Sequence, residues 1–154
     1  MSFDLNKFAA EVHQNAIDHG FWDDDATDER QIALIHSEWS EALQADRSGC
    51  TPREVCMELI DGVLRVLDYC AAKGRPVVTF VDEDSNAIVF FDLICILHHF
   101  TDTLGFHRDG HILGGAILDN VFAFVYAYGL DPYELMQEKH QYNLTRPQKH
   151  GKRY

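Results

Sequence analysis

Two predicted helices joined by a short turn at Gly49 constrain the fold of this chain more than any other feature. The first helix begins at Thr27 or Asp28, either of which can cap it, and it ends before Gly49. The second helix begins at the capping box Thr51-Pro52-Arg53-Glu54, which places proline in the first helical position, and it runs to about Lys73. Because the connection is short, we expect the two helices to lie antiparallel as a hairpin.

Segments with the apolar spacing typical of helices precede and follow this hairpin. Residues 77–84 have strand-like composition but no evident partner strand, so we expect a linker there. The tail from Asn143 contains Pro147 and Gly151, which favour irregular backbone. The sequence therefore predicts one all-α domain over residues 1–154, an antiparallel bundle of about five helices built on the hairpin. The predicted flanking helices are residues 5–20, 86–104, 116–128 and a short last helix from Asp131 to about Tyr142.

Four carboxylates are placed on the hairpin in two pairs. Glu38 and Glu41 share one face of the first helix, and Glu58 and Asp61 share one face of the second. In an antiparallel hairpin that turns at Gly49, Glu38 is level with Asp61 and Glu41 is level with Glu58. Single acidic pairs are common on solvated helix faces, but apolar residues flank these pairs, so we expect part of the acidic strip to border the bundle interior.

Such a convergence of carboxylates requires counter-charge, because like charges a few ångströms apart oppose ionisation. An oxygen-only ligand set favours Mg²⁺, with Mn²⁺ as the other possibility, over zinc or copper. None of the glutamates has a histidine three residues later, which argues against a di-iron carboxylate site. Gly62 is expected to allow close helix approach at this level, and Arg65 is expected to pair with Asp61.

The charge balance restricts the partners. Twenty-five acidic residues against thirteen basic ones give a formal charge of −12, which repels nucleic acid and anionic membranes. No apolar run approaches the roughly 18 residues of a membrane span, and the four cysteines form no C-x-x-C pair. We therefore expect a soluble cytoplasmic protein that binds neither nucleic acid nor membranes. Five of the cations lie in the last sixteen residues, either as a solvated terminus or as an arm that closes over a polyphosphate.

Three separated motifs together resemble the MazG-like branch of the all-alpha NTP pyrophosphatases. They are residues 34–43, residues 58–68, and the tail pattern Lys139-x-x-x-Asn143-x-x-Arg146-Pro147-x-x-His150-Gly151-Lys152. The chain departs from the family pattern at Ser37, where many relatives carry a further glutamate. It also has a long segment, residues 77–128, that compact relatives lack and whose role the resemblance leaves open.

The resemblance implies Mg²⁺-dependent hydrolysis of (deoxy)nucleoside triphosphates to monophosphate and pyrophosphate, with a role in cleansing the nucleotide pool. It implies that the four carboxylates bind metal and carry the catalysis, and that the protein is a homodimer or a larger homo-oligomer. One of Glu38, Glu41 and Glu58 would accept the proton of the attacking water, and the choice among them stays open. The candidates for phosphate binding are Lys139, Arg146 and Lys152 as cations, with Asn143 and His150 as hydrogen-bond donors.

The nucleotide that is preferred and the residues that bind its base are not determined by the sequence. Trp22 and Trp39 are weak candidates for stacking on the base, because an aromatic residue at helical spacing is more often part of a core. His13 and Asn15 are equally weak candidates for hydrogen bonding to it. Two other functions stay open. One is a non-catalytic metal- and nucleotide-binding bundle with a regulatory role, and the other is a phosphatase that acts on nucleoside monophosphates.

Overall fold

The computed structural model describes residues 3–106 and 110–153. Within these residues the chain forms six α-helices and one short 3₁₀ helix, with no β-strand. The all-helical class is confirmed, and the described residues form six helices rather than about five; the sixth is the short last helix predicted from Asp131, which spans Pro132–Leu144 and is capped by Asp131. The helices are α1 (Leu5–Asp18), α2 (Asp28–Arg47), α3 (Pro52–Ala72), α4 (Phe90–Phe106), α5 (Gly110–Ala127) and α6 (Pro132–Leu144), followed by the 3₁₀ helix Gln148–Gly151.

The hairpin of α2 and α3 forms as the sequence predicts. The Thr27 hydroxyl accepts a hydrogen bond from the backbone N–H of Arg30, which caps α2. At α3 the capping box is complete, because the Thr51 hydroxyl accepts from Glu54 N–H and the Glu54 carboxylate accepts from Thr51 N–H. Helix α3 packs against α1, α2, α5 and α6 and carries buried residues on every turn, so it is the central element of the bundle.

Close approach of α2 and α3 depends on Gly62. A Cβ atom at this position would meet the Trp39 ring at 2.0 Å, well inside van der Waals contact. Trp39 is completely buried, and its indole N–H donates to the Thr101 hydroxyl of α4 at 2.9 Å. The missing side chain at Gly62 therefore lets the two helices that carry the acidic pairs pack face to face, as the sequence predicts.

Helix α5 begins earlier than the sequence predicts, at Gly110 rather than Ala116. Gly114 and Gly115 therefore lie inside the helix, although a glycine pair usually interrupts one. Packing explains the difference, since a Cβ at Gly114 would meet Cys70 Sγ at 2.9 Å and a Cβ at Gly115 would meet the Val78 carbonyl oxygen at 2.2 Å. Tertiary contact thus outweighs local helix propensity. Helix α4 differs in the other direction and starts at Phe90 rather than residue 86.

The predicted linker, residues 77–84, has no regular secondary structure and lies across the surface of α1 and α5. The Asn6 side chain donates to the Val77 carbonyl and accepts from Val77 N–H. The Asp119 carboxylate accepts from the backbone N–H groups of Phe80 and Val81. Side chains on two helices therefore provide the hydrogen bonds that a partner strand would otherwise supply.

Across the described parts of the chain, no single helix is both long and apolar enough to cross a bilayer; Ile112–Ala127 and Pro132–Leu144 meet that standard only as a pair, bent by 105°.

Candidate functional site

Three acidic side chains meet where α2 faces α3. One carboxylate oxygen from each of Glu38, Glu58 and Asp61 lies within 4.8 Å of the others. Mg²⁺ binds oxygen ligands at about 2.0–2.1 Å, so ligands on opposite sides of one ion are about 4 Å apart. The three oxygens are therefore spaced closely enough to bind one divalent ion after small side-chain rotations. The donor set, which contains only oxygen, fits magnesium or manganese.

Glu41, the fourth predicted carboxylate, lies beside this cluster rather than in it. Its side chain is half exposed, and one of its oxygens is 3.9 Å from Lys152 Nζ. Burial is the main cause of the raised pKa of Glu58, and the negative charge of the neighbouring Glu41 adds to the rise. The structure thus brings three of the four predicted acids together and places the fourth at the rim.

Two of the clustered carboxylates, Glu58 and Asp61, have raised pKa values. Burial raises the pKa of Asp61 from 3.8 to about 6, although the neighbouring Lys139 lowers it and Glu38 and Glu58 raise it further. Burial also raises the pKa of Glu58, and the charges of Glu41 and Glu38 add to that effect. A strong positive charge at this position would therefore stabilise the ionised cluster.

Two cations pair with the cluster. Arg65 Nε donates to Glu38 Oε1 at 2.5 Å, and Lys139 Nζ lies 2.6 Å from Asp61 Oδ2. The expected pairing of Arg65 with Asp61 is wrong. Arg65 extends across the hairpin to Glu38 with its guanidinium over the Phe21 ring, and Lys139 from α6 takes the Asp61 carboxylate instead.

The C-terminal tail folds back beside the cluster. Lys149 N–H donates to the His19 carbonyl at 2.7 Å, and the Lys149 ammonium pairs with Asp23 at 2.5 Å. The His19 ring donates from Nε2 to the Arg146 carbonyl at 2.9 Å. These contacts fasten the tail to the loop between α1 and α2, so the tail is docked onto the bundle rather than extended into solvent.

The five predicted phosphate-binding residues lie at different distances from the carboxylates. Lys139 contacts the cluster directly, and Lys152 lies near the rim residue Glu41. The Arg146 guanidinium packs over the Tyr142 ring. His150 and Asn143 line a cavity beside the carboxylates, and burial with nearby cations lowers the pKa of His150 to about 3, so that its imidazole is neutral.

That cavity, of about 50 Å³, lies among α1, α2, α3, α6 and the tail. Glu38 and Asp61 belong to its wall, which joins the cavity to the acidic cluster. Asn15 and Asn143 also line it; both are buried, and the Oδ1 atom of each has no hydrogen-bond partner among the described residues. Phe21 contributes a ring to the same wall. The recess is thus lined by charged side chains of α2 and α3 together with amide, imidazole and aromatic groups from α1, α6, the loop after α1 and the tail.

The two weak tryptophan candidates for base binding have different positions. Trp39 is fully buried in the core and hydrogen-bonded to Thr101, so it is not accessible to a ligand. Trp22 donates its indole N–H to both oxygens of the buried Asp68, at 2.8 and 3.0 Å, and His13 Nδ1 donates to the same carboxylate at 2.6 Å. Asp68 lines the cavity, so Trp22 and His13 support its wall.

Sequence reasoning did not identify Phe21 or His140 as part of this site. Phe21 lies in the irregular loop after α1, where no periodicity indicates which way a side chain points. His140 follows Lys139 on α6 and lines the cavity, and burial lowers its pKa, so it is neutral. Its position depends on how α6 packs, which no local signal in the sequence indicates.

Comparisons of the chain with protein-family models, with curated proteins and with solved structures found no match. The resemblance to the MazG-like pyrophosphatases therefore rests on the three sequence motifs alone. The geometry of the site is a separate observation that does not depend on the resemblance.

Proposed function

We propose that this protein is a Mg²⁺-dependent hydrolase that converts (deoxy)nucleoside triphosphates into monophosphate and pyrophosphate. The observation that supports this most directly is the meeting of Glu38, Glu58 and Asp61 within 4.8 Å, next to Lys139 and the docked basic tail. Metal-dependent hydrolysis of a phosphoanhydride bond requires negative groups that bind the metal and positive groups that bind the phosphates.

Glu38, Glu58 and Asp61 would hold the ion, with Glu41 at the rim. When bound, Mg²⁺ would supply Lewis acidity toward phosphate oxygens and favour ionisation of a nearby water. Hydrolysis of the bond between the α- and β-phosphates joins the water oxygen to phosphorus, breaks the bridging P–O bond and releases a proton. Glu58 and Glu41 are the proposed acceptors of that proton, since the described residues give Glu58 no ion pair and give Glu41 only a long one, 3.9 Å from Lys152 Nζ.

The cations of α6 and the tail would bind the leaving pyrophosphate. Lys139 is within reach because it already contacts Asp61, and Lys152 is near Glu41. Arg146, held over Tyr142, would add a forked donor that suits phosphate oxygens. The homo-oligomer implied by the resemblance stays a prediction, which sedimentation analysis of the purified protein tests.

The decisive experiment is incubation with each common dNTP and NTP plus Mg²⁺, followed by separate measurement of pyrophosphate and orthophosphate. We expect pyrophosphate and the monophosphate in equal amounts, no release with EDTA, and at least about a hundredfold loss of kcat in Asp61→Asn and Glu58→Gln. Glu83→Gln, in an exposed loop, is the matched control and keeps the wild-type rate.

The two other functions give different products. A protein that binds nucleotide and Mg²⁺ but never releases pyrophosphate from any triphosphate would be a regulatory bundle, and the enzyme proposal would be wrong. Orthophosphate released from a nucleoside monophosphate would indicate the phosphatase instead.

A further inference from the structure

Two asparagines from distant parts of the chain line the cavity with side-chain oxygens that lack hydrogen-bond partners. Asn15 comes from α1 and Asn143 from the last turn of α6, and their exposed fractions are only 8% and 9%. Neither side-chain amide oxygen has a partner among the described residues. Buried amides in native proteins are nearly always paired, so two unpaired ones in one cavity wall indicate groups that a ligand completes.

The cavity adjoins the place where a polyphosphate would bind. Lys139 and Asn143 are four residues apart and share one face of α6, and Lys139 contacts Asp61. Asn143 therefore lies about 6 Å farther along the helix than the lysine at the carboxylates. A nucleotide whose phosphates are held at the carboxylates would bring an edge of its nucleoside part to this recess.

The chemistry of the recess suits a nucleoside better than a phosphate group. Three of the four charged residues in the wall are acidic, which disfavours a phosphate group there, and each has a partner: Arg65 pairs with Glu38, Lys139 pairs with Asp61, and Asp68 accepts from His13 and Trp22. The remaining groups are three apolar side chains, the neutral imidazoles of the two cavity histidines, the Phe21 ring and the two amides. An amide offers a donor and an acceptor side by side, which matches the edge of a nucleobase, and an aromatic ring offers a face for stacking.

We infer that Asn15 and Asn143 bind the nucleoside part of the substrate, base edge or sugar hydroxyl, and determine which nucleotides are accepted. This inference rests on the proposed function, since it takes the phosphates to lie at the carboxylates. It changes the role of Asn143, which the tail motif alone assigns to phosphate. The cavity of about 50 Å³ holds more than one water but is far smaller than a typical ligand pocket of about 300 Å³ or more, so it admits only the edge of a planar group.

The test compares binding of nucleotides with binding of inorganic tripolyphosphate, which has the phosphates but no nucleoside. Isothermal titration calorimetry is run on the full chain with Mg²⁺ and with α,β-imido analogues of the four dNTPs, which are not hydrolysed. The variants are Asn15→Leu and Asn143→Leu, with Asn15→Ala and Asn143→Ala as smaller replacements. Asn86→Leu, at an exposed loop position, is the matched control.

In each variant we expect the ratio of nucleotide affinity to tripolyphosphate affinity to fall about tenfold for the best-bound nucleotide, with tripolyphosphate affinity within about twofold of wild type. The melting temperature should stay equal or rise, because an unpaired buried amide is replaced by an apolar group. A merely structural role for the amides predicts the opposite, a lower melting temperature with an unchanged ratio.

Three results would overturn the inference: an unchanged ratio in both asparagine variants, an equal loss of tripolyphosphate binding in Asn143→Leu, or wild-type protein that binds tripolyphosphate as tightly as every nucleotide. Failure of the proposed function is a separate outcome. If nucleotides bind with the expected ratio but pyrophosphate is never released, the hydrolase proposal is wrong while the asparagine assignment stands.

Discussion

Neutralising Asp61 should stabilise the metal-free fold, although this residue is central to the proposed site. In the unfolded chain an aspartate loses its proton near pH 3.8, whereas burial raises the pKa of Asp61 in the fold to about 6. Between these pH values the native state binds more protons than the unfolded state, so stability falls as the pH rises from about 4 to 6. The loss persists above pH 6, and its size is about 3 kcal/mol. The pKa of Asp61 already includes the attraction of Lys139, so the ion pair needs no separate correction.

Asparagine has the shape of the protonated aspartate and lacks its charge. We therefore expect Asp61→Asn in EDTA at pH 7.5 to melt about 6–12 °C above the wild type, given about 2–4 °C per kcal/mol for a domain of this size. The difference should shrink toward zero as the pH is lowered from 6 to 4. Thermal unfolding followed by circular dichroism at several pH values measures both quantities, and Glu41→Gln, at a half-exposed carboxylate, is the control with little change.

Addition of Mg²⁺ should reverse the order of the two proteins. Binding to the native state raises the wild-type melting temperature in proportion to the logarithm of the metal concentration, whereas Asp61→Asn lacks one ligand and should respond weakly. A variant that melts below wild type in EDTA, or a difference that does not change between pH 4 and 6, would refute the reasoning that burial makes ionised Asp61 costly.

Three further predictions concern the packing, the metal and the tail. Gly62→Ala should destabilise the fold by about 2 kcal/mol, because the overlap with the buried Trp39 ring costs more than the gain in helix propensity. The control is Gly105→Ala, whose Cβ would meet a flexible Ile32 atom at 3.1 Å, and equal melting temperatures of the two variants would contradict the packing argument. Affinity for Mn²⁺, measured by electron paramagnetic resonance, should weaken at least about tenfold as the pH is lowered from 7.5 to 5, because protons compete for carboxylates with raised pKa values. A Mn²⁺ affinity that does not change with pH would exclude the cluster as the metal site. Lys149→Ala should weaken nucleotide binding about fivefold, because it releases the tail from Asp23 in the α1–α2 loop, while Mn²⁺ affinity should stay unchanged. Unaltered nucleotide binding would show that docking of the tail does not contribute to affinity.

The sequence predicts those features of the fold that depend on neighbouring residues. The capping box at Thr51, the short turn at Gly49 and the apolar stripes are local signals, and they suffice for the hairpin, on which three of the four predicted acids meet while Glu41 lies at the rim. Gly62 was identifiable for the same reason, because it lies next to Asp61 in a helix whose partner was already known.

Features that depend on tertiary packing were not predictable. Helix α5 continues through Gly114 and Gly115 because neighbouring segments need the space, and no propensity scale contains that information. Arg65 pairs with Glu38 rather than Asp61 because Lys139, from a helix distant in sequence, occupies the expected partner. The cavity between α1, α6 and the tail is likewise assembled from parts whose relative positions the sequence pattern does not specify.

Several locally unfavourable features lie around this one cavity. Asp61 is a carboxylate with a raised pKa, and Asn15 and Asn143 carry two of the four unpartnered buried side-chain atoms among the described residues. Lys149 and His150 adopt left-handed backbone conformations, with φ of 46° and 53°, where the tail borders the site. The other two unpartnered atoms, Arg30 Nε and Tyr69 Oη, lie outside the cavity wall, and the glycine pair inside α5 is explained by packing. Natural sequences break local rules mainly where function requires it, so this grouping supports the proposal of a ligand site at the cavity and its acidic wall.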